Sequence, residues 1–352
     1  MKKNIILLLI VFTFFSCENK KEEQLKNKVN LIKNDSEKRI DVKVDGKLFT
    51  SYLYTDTLSV LKKTVLYPIV SANGVTITRG FPINPRPGER IDHPHHIGLW
   101  LNYGDVNGLD FWNNSDAIPA ERENEMGTIR NDNIIEVKSG EEKGELTAAS
   151  NWLKPDGSVL LKDTTHFTFY AEDGIRIIER VTKLTALEEP VVFHDNKEGM
   201  IGMRVARQLE LPSDKPAVLS DSHGQQTDVP VMDNSGVTGN YLSSEGIEGE
   251  SVWGTRGKWV ALYGKVDNKN VTVVILDNPE NVGFPTYWHA RGYGLFAANP
   301  LGQSVFSNGK EALNFKLDKG DSVTFKYRVL ILDGKPDKSK IEDEYQKFRE
   351  MN

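Results

Sequence analysis

The densest chemistry in the chain lies in Arg90-Ile91-Asp92-His93-Pro94-His95-His96-Ile97-Gly98-Leu99-Trp100, where three of the seven histidines fall within four positions. The apolar run Ile97 to Leu101 follows, then a polar turn from Asn102 to Gly108, closed by Leu109-Asp110-Phe111-Trp112. Titratable groups set tightly against aromatics beside a strand point to a site more than to a solvated face. His93 and His95 have the spacing that puts two imidazoles on one face of a strand, which suits a metal. Pro94 between them breaks a regular strand. Three uses stay open for these histidines: a metal, acid–base or sugar-binding chemistry, and satisfying buried backbone groups at a sheet corner.

A second cluster is His194-Asp195-Asn196-Lys197-Glu198-Gly199. An acidic, amide-rich turn at a strand end can present a carboxylate to a cleft, and Glu198 is the candidate general base. Such a base needs a pKa raised by burial or by a neighbouring acid. The bland alternative is a solvated turn. A third cluster is Pro285-Thr286-Tyr287-Trp288-His289-Ala290-Arg291, running on to Ala298-Asn299-Pro300. Trp and Tyr faces stack on sugar rings, while Arg and Asn bind hydroxyls or carboxylates. A core strand with one polar edge would look similar. The fourth, Glu250-Ser251-Val252-Trp253-Gly254-Thr255-Arg256, is equally well explained by a turn with a surface ion pair.

Absences narrow the classes. The chain has no G-x-S-x-G elbow, no H-E-x-x-H, no Walker A loop and no dinucleotide fingerprint. Its formal net charge is −6, and no basic run interleaves with aromatics, so nucleic acid is not an expected partner. No cofactor is required by the sequence, and a divalent metal remains open.

The elements that must position these residues read as strands. His166 to Tyr170 and Ile175 to Val181 flank a turn at Glu172-Asp173-Gly174. Lys258 to Val266 and Val271 to Leu276 flank Asp267-Asn268-Lys269-Asn270. Tyr67 to Val70 and Gly74 to Thr78 meet at Asn73-Gly74, and Leu313 to Leu317 and Val323 to Ile331 flank Asp318 to Asp321. Strand–helix alternation is missing, so a parallel sheet is not expected. The expectation is an all-β fold, a large antiparallel β-sandwich over 41–352, with one short C-terminal helix. In that helix Ser339 and Glu342 form a capping-box pair, and Ile341, Tyr345 and Phe348 make one stripe.

Ahead of the sandwich, residues 1–16 have the form of an export signal: Lys2 and Lys3, then an apolar run from Ile5 to Phe15, too short to span a bilayer. The run ends at Phe14-Phe15-Ser16-Cys17, which resembles a bacterial lipobox. Cys17 is the single cysteine of the chain, so an internal disulfide and a cysteine nucleophile are excluded. Residues 17–40 are rich in Lys, Glu and Asn and read as a flexible tether. The expected product is a membrane-anchored lipoprotein, periplasmic or at the cell surface.

The stretches Asp92 to Trp100 and Gly104 to Trp112, together with Asp195 to Gly199 and Pro285 to Pro300, resemble a bacterial family of uncharacterised proteins labelled PmoA-like, or methane oxygenase subunit. The likeness covers roughly residues 60 to 332. True subunits of that name span membranes several times, whereas this chain has no further apolar stretch of bilayer length. The resemblance instead implies the galactose-mutarotase type of β-supersandwich, and Phe315 to Arg328 resembles the closing hairpin of such folds. That fold hosts epimerases, glycoside hydrolases and polysaccharide lyases. The functional expectation is an exported protein acting on carbohydrate, most simply a glycoside hydrolase or lyase. Glu198 would pair with His95, His96 or His289 as acid and base. Arg291, Asn299, Asp195 and His93 would bind substrate, and Trp288 and Tyr287 would stack on a ring. The alternative is a non-catalytic glycan-binding lipoprotein.

Several acyl chains on one cysteine anchor a protein stably, whereas one chain holds it only marginally. Cys17→Ala is therefore expected to move the protein from the membrane to the soluble fraction and to abolish incorporation of labelled fatty acid. Equal labelling of the variant would refute the anchor.

Overall fold

The computed structural model describes residues 28–351 apart from 222, 224 and 230–232, so the signal and Cys17 lie outside the described residues. Two antiparallel sheets make up the body. The first has nine strands, in the spatial order Tyr287–Arg291, Leu295–Asn299, Ile201–Arg204, Leu99–Leu101, Val65–Ile69, Lys47–Leu53, Arg39–Val44, Lys28–Asn34 and Gly140–Glu141. The second has eight, in the order Asn240–Ser243, Trp259–Val266, Lys269–Asp277, Ser322–Asp333, Ile175–Ala186, Val159–Glu172, Lys143–Leu153 and Thr128–Lys138. Their inner faces pack together, as in the edge-on contact of Phe49 with Phe169, ring centroids 6.2 Å apart. The chain is thus an all-β antiparallel sandwich with a short C-terminal helix. Among the described residues no helix is long and apolar enough to cross a membrane.

The strands follow from the period-two alternation of their side chains. In Arg39–Val44, residues Ile40, Val42 and Val44 face the core and the polar residues between them face out. The same alternation reaches back to Val29 and Leu31, so the expected tether gives way to strand at Lys28. There, abundant lysine and asparagine hide two core positions. The hairpin of Val159–Glu172 with Ile175–Ala186 turns on Asp173-Gly174, with Gly174 at φ +66°. The turn between Trp259–Val266 and Lys269–Asp277 is tighter than expected. Only Asp267 and Asn268 connect the strands, both at positive φ, as a type I′ turn requires.

Two local expectations fail. Gly74 to Thr78 forms no strand and makes only isolated bridges, Thr76 to Val70 and Thr78 to Val205. The closing hairpin is not a hairpin either. Phe315–Leu317 pairs with Val191–Phe193, whereas Ser322–Asp333 lies between Ile175–Ala186 and Lys269–Asp277. The turn at Asp318 to Asp321 therefore joins two sheets.

The helix Lys338–Arg349 covers the outer face of the eight-stranded sheet with Ile341, Tyr345 and Phe348. Its cap is Asp337, whose carboxylate accepts the backbone N–H groups of Ser339 and Lys340 at 3.0 and 3.2 Å. Glu342 is drawn away from the capping box. It accepts from the Trp259 indole and the Lys258 amine, both at 2.8 Å, and so fastens the helix to the sheet. Beneath the helix the Arg328 guanidinium bridges Glu179 and Glu344, all three buried. Arg328→Ala leaves the buried Glu179 without its counter-charge and Glu344 with only the exposed Lys347 amine. It is expected to cost about 3–5 kcal/mol of stability by chemical denaturation, and a loss under about 1 kcal/mol would show that the pair does not depend on it.

Candidate active site

Three of the sequence-distant motifs meet because their strands are neighbours. Tyr287–Arg291 is the edge of the nine-stranded sheet, and Leu295–Asn299, Ile201–Arg204 and Leu99–Leu101 follow it in order. The histidine loop enters the last of these, and the Glu198 turn enters the one before.

The histidine loop is held from inside. The buried Arg79 guanidinium donates to the carbonyls of Arg90, Asp92, His93 and His96 and to the Asp92 carboxylate, at 2.8 to 3.1 Å. Arg204, fully buried, donates to the same carboxylate oxygen at 2.6 Å. Burial pushes the Asp92 carboxyl up, but Arg204, the His93 imidazole and Arg79 outweigh it and hold it well below the usual carboxylate range. Two buried cations and one carboxylate thus fix a loop that forms no regular element. His93 is held at φ +46°, a left-handed conformation that costs a non-glycine residue on the order of 1 kcal/mol.

Aromatic stacking sets the direction of the rings. Tyr293, His93, His96 and Trp100 form a near-parallel column with centroid spacings of 5.3, 4.8 and 5.2 Å. His95 stands edge-on to His93 and His96. Burial, reinforced by the neighbouring imidazoles and guanidinium groups and, for His95, by Lys63, pushes His95 and His96 well below the usual imidazole range. The Lys63 amine, itself brought down to about 7 by burial, donates to the His95 carbonyl at 2.7 Å. Among the three histidines only His93, with its side chain 41% exposed, lines open space. His95 and His96 form its backing.

The opposite wall is the edge strand. Alternation along Tyr287–Arg291 puts His289 and Arg291 on the cleft side, and both line it. Trp288 points the other way: it is fully buried, and its indole donates to the Gly257 carbonyl at 3.0 Å. Tyr287 is stacked on Phe306 and covered by Arg256. Neither expected ring-stacking residue is free to meet a sugar. Trp253, at the end of the turn Gly249–Val252, lines the cleft instead, together with Tyr293, which is stacked on His93 with Arg204 over its ring.

The third wall is the Glu198 turn. Asp195 accepts the backbone N–H groups of Ser304 and Leu313 at 2.8 and 3.0 Å. Asn299 donates to the Asn196 carbonyl and accepts from Leu301 and Gly302. Both of these expected substrate-binding residues are thus engaged in building the turn. Gly104 allows the close fit, since a Cβ there would fall 2.8 Å from the Cβ of Glu198. Glu198 emerges with its carboxylate against the Lys197 amine and its Oε2 3.9 Å from His289 Nε2. A cation thus stands where a neighbouring acid was expected.

Trp253 also orients His289. Its indole N–H donates to His289 Nδ1 at 3.4 Å, so the ring hydrogen resides on Nε2, facing Glu198. Burial, assisted by Lys197, Arg291 and His93, brings His289 down to about 3, so it is neutral at ordinary pH. The cleft, about 330 Å³, is lined by His93, Lys197, Trp253, His289, Arg291 and Tyr293. A neighbouring cavity of about 400 Å³ shares Trp253, Arg291 and Tyr293 with it. Among the described residues no group of three His, Cys, Asp or Glu is placed to hold a metal ion.

The chain belongs to a family of unknown function, DUF6807, matched over residues 39–346. The description of that family carries no PmoA label. No curated protein matches the sequence. Among solved structures, the chain is similar to the GH36 α-galactosidase AgaB from Geobacillus stearothermophilus, at 12% identity and TM-score 0.43, over 86% of this chain and 41% of that one. It is also similar to a galactose mutarotase-like protein from Clostridium acetobutylicum, at 12% identity and TM-score 0.39, over 88% of this chain and 99% of that one. The chain thus spans about two fifths of the α-galactosidase it matches. At these identities and TM-scores the likeness carries no activity across.

Neutral burial of His289 has a stability signature. The unfolded chain takes up a proton near pH 6.5 while the folded chain does so only near 3, so this residue's contribution is present above pH 6.5 and is lost as pH falls toward 3. His289→Gln should remove that dependence. In denaturation experiments the stability difference between wild type and variant should shift by roughly 3 kcal/mol toward the variant between pH ~7 and pH ~4.5. A constant difference would show that His289 protonates equally in both states.

Proposed function

We propose that this protein is a carbohydrate-active enzyme whose cleft holds a sugar ring beside Trp253 and Tyr293 and moves a proton through Glu198. The observation that carries this is the approach of Glu198 Oε2 to His289 Nε2, 3.9 Å, at the wall of an aromatic, cationic cleft. The carboxylate is the proton acceptor. His289, neutral and oriented by Trp253, presents its N–H toward Glu198, whose carboxylate is held by the Lys197 amine.

Between hydrolase and lyase, the geometry favours the lyase. Glycoside hydrolysis by the usual route needs two carboxyl groups, about 5–5.5 Å or about 6.5–9.5 Å apart. The carboxylate in the histidine loop, Asp92, is already taken by Arg79 and Arg204. Elimination needs one base, and Glu198 supplies it. The apolar leader and Cys17 support placing the enzyme on a membrane surface, in the periplasm or outside the cell. A second reading, glycan binding without turnover, draws on the Lys197–Glu198 ion pair, which would then serve only to order the turn.

A general acid–base group typically contributes 10² to 10⁴-fold in rate. On a saccharide found by screening, Glu198→Gln is expected to lower kcat by about that factor while leaving the melting temperature nearly unchanged. Trp253→Ala should mainly raise KM, by about 2- to 10-fold. Glycan affinity with no turnover in wild type, unchanged by Glu198→Gln, would establish the binding protein instead.

A further inference from the structure

The geometry points to an anionic saccharide, a uronic acid chain, as the ligand of this cleft, with Arg291 as the receptor for its carboxylate. The inference rests on the saccharide cleft proposed above and names its substrate class.

The first ground is the sign of the lining. The chain as a whole carries a formal charge of −6, yet the residues lining the cleft include Lys197 and Arg291 and no carboxylate. Glu198, at the wall behind them, is matched by Lys197. The adjoining cavity adds Arg90 and Lys215 against a single carboxylate, Glu250. Arg90 is neutralised by the buried Glu210 at 2.8 Å, which leaves Lys215 and Arg291 against Glu250 to set the field there. With Lys197 met by Glu198, the two cavities keep a net positive surplus in a protein that is negative overall, and such a surplus attracts anions.

The second ground is the state of Arg291. Other arginines around the site are committed: Arg79 and Arg204 to Asp92, Arg90 to Glu210, and Arg256 to Glu311. Among the described residues Arg291 has no carboxylate partner. Its guanidinium lies over the Trp253 ring at 5.5 Å and the Tyr293 ring at 5.8 Å. Stacking of this kind holds the fork in place and leaves its N–H edge for a planar anion. The site shared by both cavities thus has a guanidinium pre-oriented by the two rings it packs on.

The third ground is chemical. A carboxylate on C5 of a sugar ring, once its charge is met by a guanidinium, acidifies the C5–H bond. Glu198 then takes the C5 proton, and the C–H electron pair becomes the C4=C5 double bond. The C4–O4 bond breaks with its electrons on O4, which receives the proton back from Glu198. The products are an unsaturated uronate and a free hydroxyl on the other fragment, and the carboxylate is regenerated. Neutral sugars lack the acidic C5–H, so a single base with a cation beside it suits the charged substrate.

The test is calorimetric titration of the full-length protein with trigalacturonate, trimannuronate and cellotriuronate, with their methyl esters, and with a sulfated galactan trisaccharide. At least one uronate should bind about 10- to 100-fold more tightly than its neutral ester, the range expected of a charge-assisted hydrogen-bonded pair. Arg291→Gln should erase that margin and Arg291→Lys should retain part of it. Wild type should also produce the ultraviolet absorbance of the conjugated C4=C5 product. Equal affinity for acid and ester, binding of none of the uronates, preference for the sulfated sugar, or an unchanged margin in Arg291→Gln would each overturn the inference. Turnover of neutral saccharide that depends on Glu198 would overturn it while leaving the proton-transfer function standing. Acid-selective binding through Arg291 without any product would uphold the substrate class and remove the proton transfer.

Discussion

The site depends on a buried cation pair closed on one carboxylate. Arg79 and Arg204 are both sequestered from water, and Asp92 is the acid they share. An isolated guanidinium in the interior would be prohibitively costly, and two side by side repel. Burial and the neighbouring Arg204 bring Arg79 down to about 9 against the opposing pull of Asp92, Glu89 and Glu210, so the pair is strained even with its anions in place. Asp92 and the loop carbonyls offset that strain, and the loop is the form they take in doing so. His93 then stands in the column of rings because its backbone is tied on both sides by Arg79. Removing the charge of Asp92 would disturb the loop, the column and one wall of the cleft together.

Much of this was legible in the sequence, and the misses have physical reasons. Hairpin turns and the helical stripe are local patterns, so Ile341, Tyr345 and Phe348 and the strands around Gly174 fell where expected. The convergence of His93, Glu198 and His289 was visible only as three motifs of complementary chemistry, because strand order in a sheet is not a local property. Tyr287 and Trp288, the residues expected to stack on a ring, are covered by their neighbours within a correctly identified strand. Period-two alternation puts Tyr287, His289 and Arg291 on one face and Trp288 on the other, and His289 together with Trp288 could never share the cleft. Trp253 belongs to the fourth cluster, which the sequence explains equally well as a turn with a surface ion pair, because that turn carries no pattern of its own. Its role arises from an indole N–H meeting an imidazole supplied by a strand from elsewhere in the chain. Glu342 left the capping box for a similar reason: Trp259 and Lys258 outcompeted the helix's own N–H group, and neither is a sequence neighbour.

The two sides of the cleft use their histidines differently. His95 and His96 are structural rings, kept neutral by burial and used for packing. His289 is also neutral, but its two nitrogens are distinguished, one accepting from Trp253 and the other turned toward Glu198. An imidazole in that state faces a carboxylate without supplying a charge, and with Lys197 paired to Glu198 the unmatched cation among the lining groups is Arg291.

The turn that carries Glu198 is secured by residues far away in the chain. Asp195 receives its hydrogen bonds from residues 109 and 118 positions later, and Val191–Phe193 pairs with Phe315–Leu317. Hairpins such as that of Val159–Glu172 with Ile175–Ala186 close over short loops, but this turn closes only when nearly the whole chain is present. Contacts of long sequence separation form late, because loop closure must precede them. The cleft is accordingly among the last parts of the molecule to take shape. A chain shortened before Leu313 would lose the partners of this turn together with Ser322–Asp333, the strand that joins the two halves of the eight-stranded sheet, and a refolding chain would regain its local hairpins before its cleft.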